Sequence, residues 1–149
     1  MNSLRSEMGI SPTLPLVLVI LFLILGFHVF AVYHEWYLET SIWWFDIVLH
    51  FGGGAWVTLA FFYFQRRRVL LFSALPFLFS LILVVGVVML VGVMWEWMEY
   101  GFDYLFVPID ALWRAQQGLP DTMGDLAADL VGGVLTALYV LSKRGRIEV

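Results

Sequence analysis

Four long apolar runs leave this chain few folds to choose from. Residues 14–33 read LPLVLVILFLILGFHVFAVY, without one Asp, Glu, Lys or Arg. A helix crosses roughly 30 Å of hydrocarbon with about 20 mostly apolar residues, and in lipid its backbone polar groups must pair within the segment. The second run covers 47–64 and stops at Arg66, Arg67 and Arg68. The third lies within 69–95 and is longer than one untilted span needs; Pro76 divides a short entry segment from a helix over 74–97. The fourth, 122–141, ends at Lys143, Arg144 and Arg146. Charged residues make up 13% of the chain, about half the usual share in soluble domains. The prediction is an all-α, polytopic membrane bundle of four helices, with 1–149 as a single membrane domain. Val29-Phe30-Ala31 faintly resembles a signal-peptidase site, but the run around it is long enough to read as a retained anchor.

The charges orient the spans. Short loops rich in Lys and Arg stay on the cytoplasmic side. Four spans place Arg5, the 66–68 loop and the C-terminal tail together inside, leaving Arg114 as the exception among eight basic residues. Both termini are therefore expected in the cytoplasm, with the chain in the inner (plasma) membrane. The acids other than Glu7 and Glu148 fall between Glu35 and Asp129, on the outward side. Trp36, Trp43, Trp44, Trp95, Trp97 and Trp113 gather there too, as interface anchors do, while Trp56 reads as a packing residue. Residues 105–117 suit a short interfacial helix roofing that face, with Pro108 in its first turn and Ile109, Leu112 and Trp113 toward lipid. A plain connecting loop is the alternative.

Polar residues recur at helical spacing near these outward ends. Asp46, His50, Gly54 and Thr58 share one face of the second span, and Glu96, Glu99 and Asp103 share a face of the third if that helix continues past Trp97. Asp121, Asp125 and Asp129 share a face of the fourth, continued by Gly133 and Ala137. Ordinary structural roles compete for several of them. Asp121 suits a helix N-cap, the run from Thr122 to Asp125 resembles a capping box, and Asp46 sits at a helix mouth. For Glu99 and Asp103 the competing role is plain solvation where the third helix leaves the membrane. Asp129, His50 and Glu96 lie too deep for that. An ionisable side chain at the centre of a membrane helix costs about 2.5–3.5 kcal/mol on insertion scales, so it usually faces a partner or a wet cavity. Gly52, Gly53 and Gly54, with the small-residue row Gly124, Ala128, Gly132 and Thr136, predict that the second and fourth helices pack closely and bring His50 to Asp125 and Asp129.

With no cysteine in the chain, disulfides, thiolate zinc sites and cysteine nucleophiles are excluded. No HExxH, P-loop, GxSxG or dinucleotide fingerprint occurs. One imidazole among several carboxylates suits a divalent cation such as Mg²⁺, Mn²⁺, Ca²⁺ or Zn²⁺. The expected ligands are Asp46, His50, Glu96, Asp125 and Asp129, with Glu99 and Asp121 as candidate acid–base residues. His28 and His34 read as packing and interface residues.

The elements Asp46-Ile47-Val48-Leu49-His50-Phe51, Trp95-Glu96-Trp97-Met98-Glu99-Tyr100, Gln117-Gly118, Asp121-Thr122-Met123-Gly124-Asp125 and Gly132-Gly133 together resemble the VanZ-like proteins. They are also similar to a related group of small bacterial inner-membrane proteins, and the likeness covers about 46–137. The resemblance implies four or five spans, an acid and histidine set at the functional centre, and a place in the cell envelope; it implies no particular reaction. Two function classes follow. One is a membrane-embedded, metal-dependent hydrolase or transferase acting on a lipid or lipid-linked envelope substrate. The other is a non-enzymatic ion or proton carrier, or an accessory protein whose cluster is structural. Neither involves nucleic acid.

Overall fold

The computed structural model describes residues 12–34, 36, 42, 44–65, 75–109, 111 and 114–143. The described residues form four α-helices and no strand: α1 (Leu14–Tyr33), α2 (Trp44–Gln65), α3 (Phe77–Phe106) and α4 (Leu119–Ser142). All four are long and apolar enough to cross a membrane. Arg5, Arg66, Arg67, Arg68, Arg144, Arg146, Trp43 and Trp113 lie outside the described residues.

Proline marks three of the starts. Pro15 sits in the first turn of α1, Pro76 precedes α3, and Pro120 sits in the first turn of α4. Proline lacks the N–H that a first turn leaves unpaired, and its φ is already helical. The fourth helix therefore begins ahead of the predicted Thr122, and Asp121 is a first-turn residue rather than the N-cap. The third continues beyond Trp97 to Phe106, and Glu99 and Asp103 are buried rather than solvated. Thirty residues make a rod about 45 Å long at 1.5 Å per residue, so α3 outreaches the hydrocarbon core unless strongly tilted.

The predicted interfacial helix is absent from the described part of its loop. Leu105 and Phe106 finish α3, Pro108 begins a single turn closed by Ala111 N–H onto its carbonyl, and residues 114–118 run without helix. The described part of the segment is held by polar contacts folding it inward, described below.

Helices α2, α3 and α4 contact one another, α2 and α4 most extensively, while α1 packs mainly on α2. The α2–α4 crossing is set by backbone. A methyl group placed on Gly54 would overlap the Asp129 carbonyl, and one on Gly132 would overlap the Phe51 carbonyl. Only glycine at both positions permits that approach. Thr58 reinforces it by donating to the Gly133 carbonyl at 3.2 Å. Trp56 donates to the Val17 carbonyl at 2.8 Å and so fastens α1 to α2. An edge-on aromatic set of Phe27, Phe30, Trp36 and Phe45 joins the end of α1 to the start of α2.

The interior is segregated along the bundle axis. Val57, Val84, Val88 and Ala137 form an apolar core in one half. The other half, toward the start of α2, the end of α3 and the start of α4, holds the buried acids and His50.

Candidate metal centre

His50 is the hub. Its Nδ1 lies 3.3 Å from Asp129 Oδ2, joining α2 to α4, and its Nε2 lies 3.8 Å from Asp46 Oδ1 one turn earlier on α2. Gly92 on α3 makes the Asp129 position available, because a Cβ there would come within 2.7 Å of Asp129 Oδ2. Three helices thus shape one carboxylate's environment, two of them through glycine. Asp129 lies ten residues into α4 by numbering, about 15 Å along the axis from its start, and it is buried.

Two groups of side chains have the geometry to share a cation. Asp46, His50 and Asp125 can each place one ligand atom within 4.8 Å of the others, and so can His50, Glu96 and Glu99. Both use His50, so the two groups adjoin at its imidazole. Asp125 is only 1% exposed, yet its Oδ1 has no hydrogen-bond partner; Glu96 Oε1 is likewise buried and unpartnered. Buried polar atoms are almost always satisfied, and a bare carboxylate oxygen is among the costlier exceptions.

Of the seven residues expected from the sequence, Asp46, His50, Glu96, Glu99 and Asp125 meet in these groups. Asp129 touches the imidazole but belongs to neither group. Asp121 also belongs to neither group. Its Oδ2 accepts the Gln117 N–H at 3.1 Å, as a first-turn acid reaching back across a helix start does. Thr122 is not a capping-box donor, for its hydroxyl donates to Gln116 Oε1 at 2.9 Å.

Sequence reasoning missed Gln116. Its Nε2 donates to Glu96 Oε2 at 2.8 Å, while its Oε1 accepts from Thr122 and from the Gly118 N–H at 3.2 Å. Asp103, 1% exposed, holds the segment in place: its carboxylate accepts the Ala115 and Gln116 N–H groups at 3.2 and 2.9 Å, with Arg114 Nε at 3.8 Å. Gly118 turns the chain into α4 at φ 117°, a conformation nearly reserved for glycine. An amide side chain thereby closes over the cluster where a helical roof was expected. Two adjacent glutamines before a glycine were the available signal, but nothing local told which one points inward. Trp95, read as an interface anchor, donates to Glu99 Oε1 at 2.8 Å and so belongs to the cluster's wall. His28 lies edge-on to Trp95, with ring centroids 5.7 Å apart.

The sequence is similar to that of an uncharacterised protein of Thermotoga maritima, 30% identical over 104 residues, 70% of this chain and 51% of the relative. The chain thus spans about half the length of that relative. No solved structure matches. The model of the family described as Predicted membrane protein (DUF2238) matches residues 4–146, from before α1 to beyond α4. With that match covering nearly the whole chain and four apolar helices of spanning length behind it, the chain belongs to the DUF2238 family of predicted membrane proteins.

Proposed function

We propose that the cluster is a divalent-cation site, with His50 Nε2, Asp46, Glu96 and Asp125 as ligands and Glu99 beside them. The observation that carries this reading is the pair of buried, unpartnered carboxylate oxygens, Glu96 Oε1 and Asp125 Oδ1, one in each of the two ligand groups that share the His50 imidazole. A cation supplies the charge and the coordination that these oxygens lack. Oxygen ligands with a single imidazole suit Mg²⁺ or Mn²⁺ and admit Zn²⁺. Asp129 is then an orienting group rather than a ligand. As acceptor of an Nδ1–H it selects the tautomer that leaves Nε2 free to bind the ion, the usual carboxylate–histidine–metal arrangement.

A bound ion at this site polarises an ester or phosphoryl oxygen or acidifies a water. That suits a hydrolase or transferase of a lipid or lipid-linked substrate, with Glu99 as the acid–base partner. Asp121, engaged at the start of α4 and outside both groups, is the weaker candidate for that role. The positive-inside pattern and the resemblance to VanZ-like proteins support an inner-membrane location with the site on the outward side. The second reading, a structural cluster that pins helices together, is favoured by the His50–Asp129 contact between α2 and α4.

Metal analysis of detergent-purified protein separates the two. Wild type should retain near-stoichiometric metal, while Asp125→Asn and His50→Ala should lose most of it and remain folded. Metal-free wild type whose stability is unaffected by added Mg²⁺, Mn²⁺ or Zn²⁺ would leave the structural reading in place.

A further inference from the structure

Glu96 and Asp103 lie on one face of α3, about 10 Å apart along its axis, and the segment 114–118 is fastened to both. The two acids are treated differently. Asp103 is satisfied: its carboxylate accepts the Ala115 and Gln116 N–H groups at 3.2 and 2.9 Å and has Arg114 Nε at 3.8 Å. Glu96 receives a neutral amide, Gln116 Nε2 at 2.8 Å from Oε2, and keeps Oε1 bare. Which end of that amide faces Glu96 is fixed by the backbone. The Gly118 N–H can only donate, and it lies 3.2 Å from Gln116 Oε1, which also takes the Thr122 hydroxyl at 2.9 Å. Exchanging the amide oxygen and nitrogen would set donor against donor at Gly118 and acceptor against acceptor at Glu96.

We propose that Gln116 is a positioning residue of the cation site: its amide N–H fixes the Glu96 carboxylate in one orientation, engaging Oε2 and leaving Oε1 alone for the ion. This role rests on the divalent-cation reading and adds to it the residue that sets how Glu96 binds. A free carboxylate turns easily about its terminal bond and can offer either oxygen or both. A donor on Oε2 removes that choice, and ligating carboxylates are commonly oriented by such hydrogen bonds. The donor is also uncharged. An ammonium or guanidinium in its place would balance Glu96 and repel the ion, as Arg114 balances Asp103. A neutral amide orients the carboxylate and leaves its charge for the cation. The carrier is itself held in place, through its backbone N–H by Asp103 and through its amide oxygen by Gly118 and Thr122.

The test titrates Mn²⁺ into the full chain, purified in detergent and stripped with a chelator. Affinity is read by competition with a chelating dye, and the bound ion by electron paramagnetic resonance. Gln116→Met keeps the side chain's length and removes the donor. It should bind Mn²⁺ about 10–100-fold more weakly than wild type. Its spectrum at saturation should also change, because Glu96 becomes free to bind through both oxygens. Gln117→Met is the neighbouring control and should stay within about twofold of wild type, with the spectrum unchanged. In a Glu96→Ala background, titrated to higher Mn²⁺, Gln116→Met should alter affinity by no more than about twofold, because its effect passes through that carboxylate. If Gln116→Met does not fold, Gln116→Asn, whose amide stops one methylene short, takes its place with the same expected loss. Wild-type affinity in the Gln116 variant would overturn the positioning role, and so would equal losses with and without Glu96. A lowered melting temperature with an unchanged spectrum would reduce Gln116 to a structural loop residue and overturn it too. Wild type that takes up no Mn²⁺ would instead overturn the cation reading, and this role with it.

Discussion

Individual carboxylates in this bundle look alike in sequence and differ in what they touch. Asp103 accepts two backbone N–H groups and faces Arg114; Asp121 accepts one N–H at a helix start; Asp129 holds an imidazole. Asp125, the middle rung of the ladder, is left with a bare buried oxygen. The distinction between ligand and orienting residue is testable. Removing the outer partner of a metal-bound histidine costs about 10–100-fold in affinity. Asp129→Asn should therefore weaken metal binding by roughly that factor, read by competition with a chelator, and still bind at high metal concentration. Asp125→Asn should abolish stoichiometric binding over the same range. Equal losses in the two variants would make Asp129 a direct ligand.

At the scale of helices, the α2–α4 crossing is the element on which the site depends. Gly54 and Gly132 each face a carbonyl of the other helix, Ile47 lies beside Gly124, and Ala128, between Gly124 and Gly132 in the row, is buried. An added side chain there meets backbone, which cannot turn aside as a rotamer can. Overpacking ordinarily costs about 1–3 kcal/mol, and Gly132→Leu should reach the upper end of that range. Thermal unfolding in detergent should register the loss, together with failure of a cysteine pair at positions 50 and 129 to crosslink. Gly86→Leu is the control, because nothing lies within 4 Å of a Cβ placed there; its melting temperature should stay near wild type. The α2 and α4 small-residue rows were legible from the sequence, since only a close helix contact gives such a row a purpose in an apolar span. The true ends of α3 and α4 were not. Beyond the third helix Asp103 accepts the Gln116 N–H across a loop, a contact no local periodicity encodes, while the start of α4 is marked by Pro120, outside the apolar run.

At the scale of the whole molecule, the proposed orientation, with the polar half of the bundle outward, rests on the positions of the basic residues in the sequence. Cysteines introduced singly at Gln117 and at Lys143, in a chain with none of its own, should divide cleanly between the two sides. In intact cells a membrane-impermeant maleimide should label position 117 and spare position 143 until the membrane is opened; the reverse pattern would put the cluster on the cytoplasmic side. The sequence by itself determined that the chain forms four apolar helices. Run length and the need to pair every backbone group in lipid leave no other regular structure for such a chain. It also determined which helix faces carry acids, because residues three and four apart must share a face. Only the tertiary structure decided which of those acids meet His50, which are satisfied by a loop, and that an amide rather than a helix covers them. Those outcomes turn on contacts between residues far apart in the chain, at distances of a few ångströms, and a helical repeat specifies the direction of a side chain but not what stands opposite it.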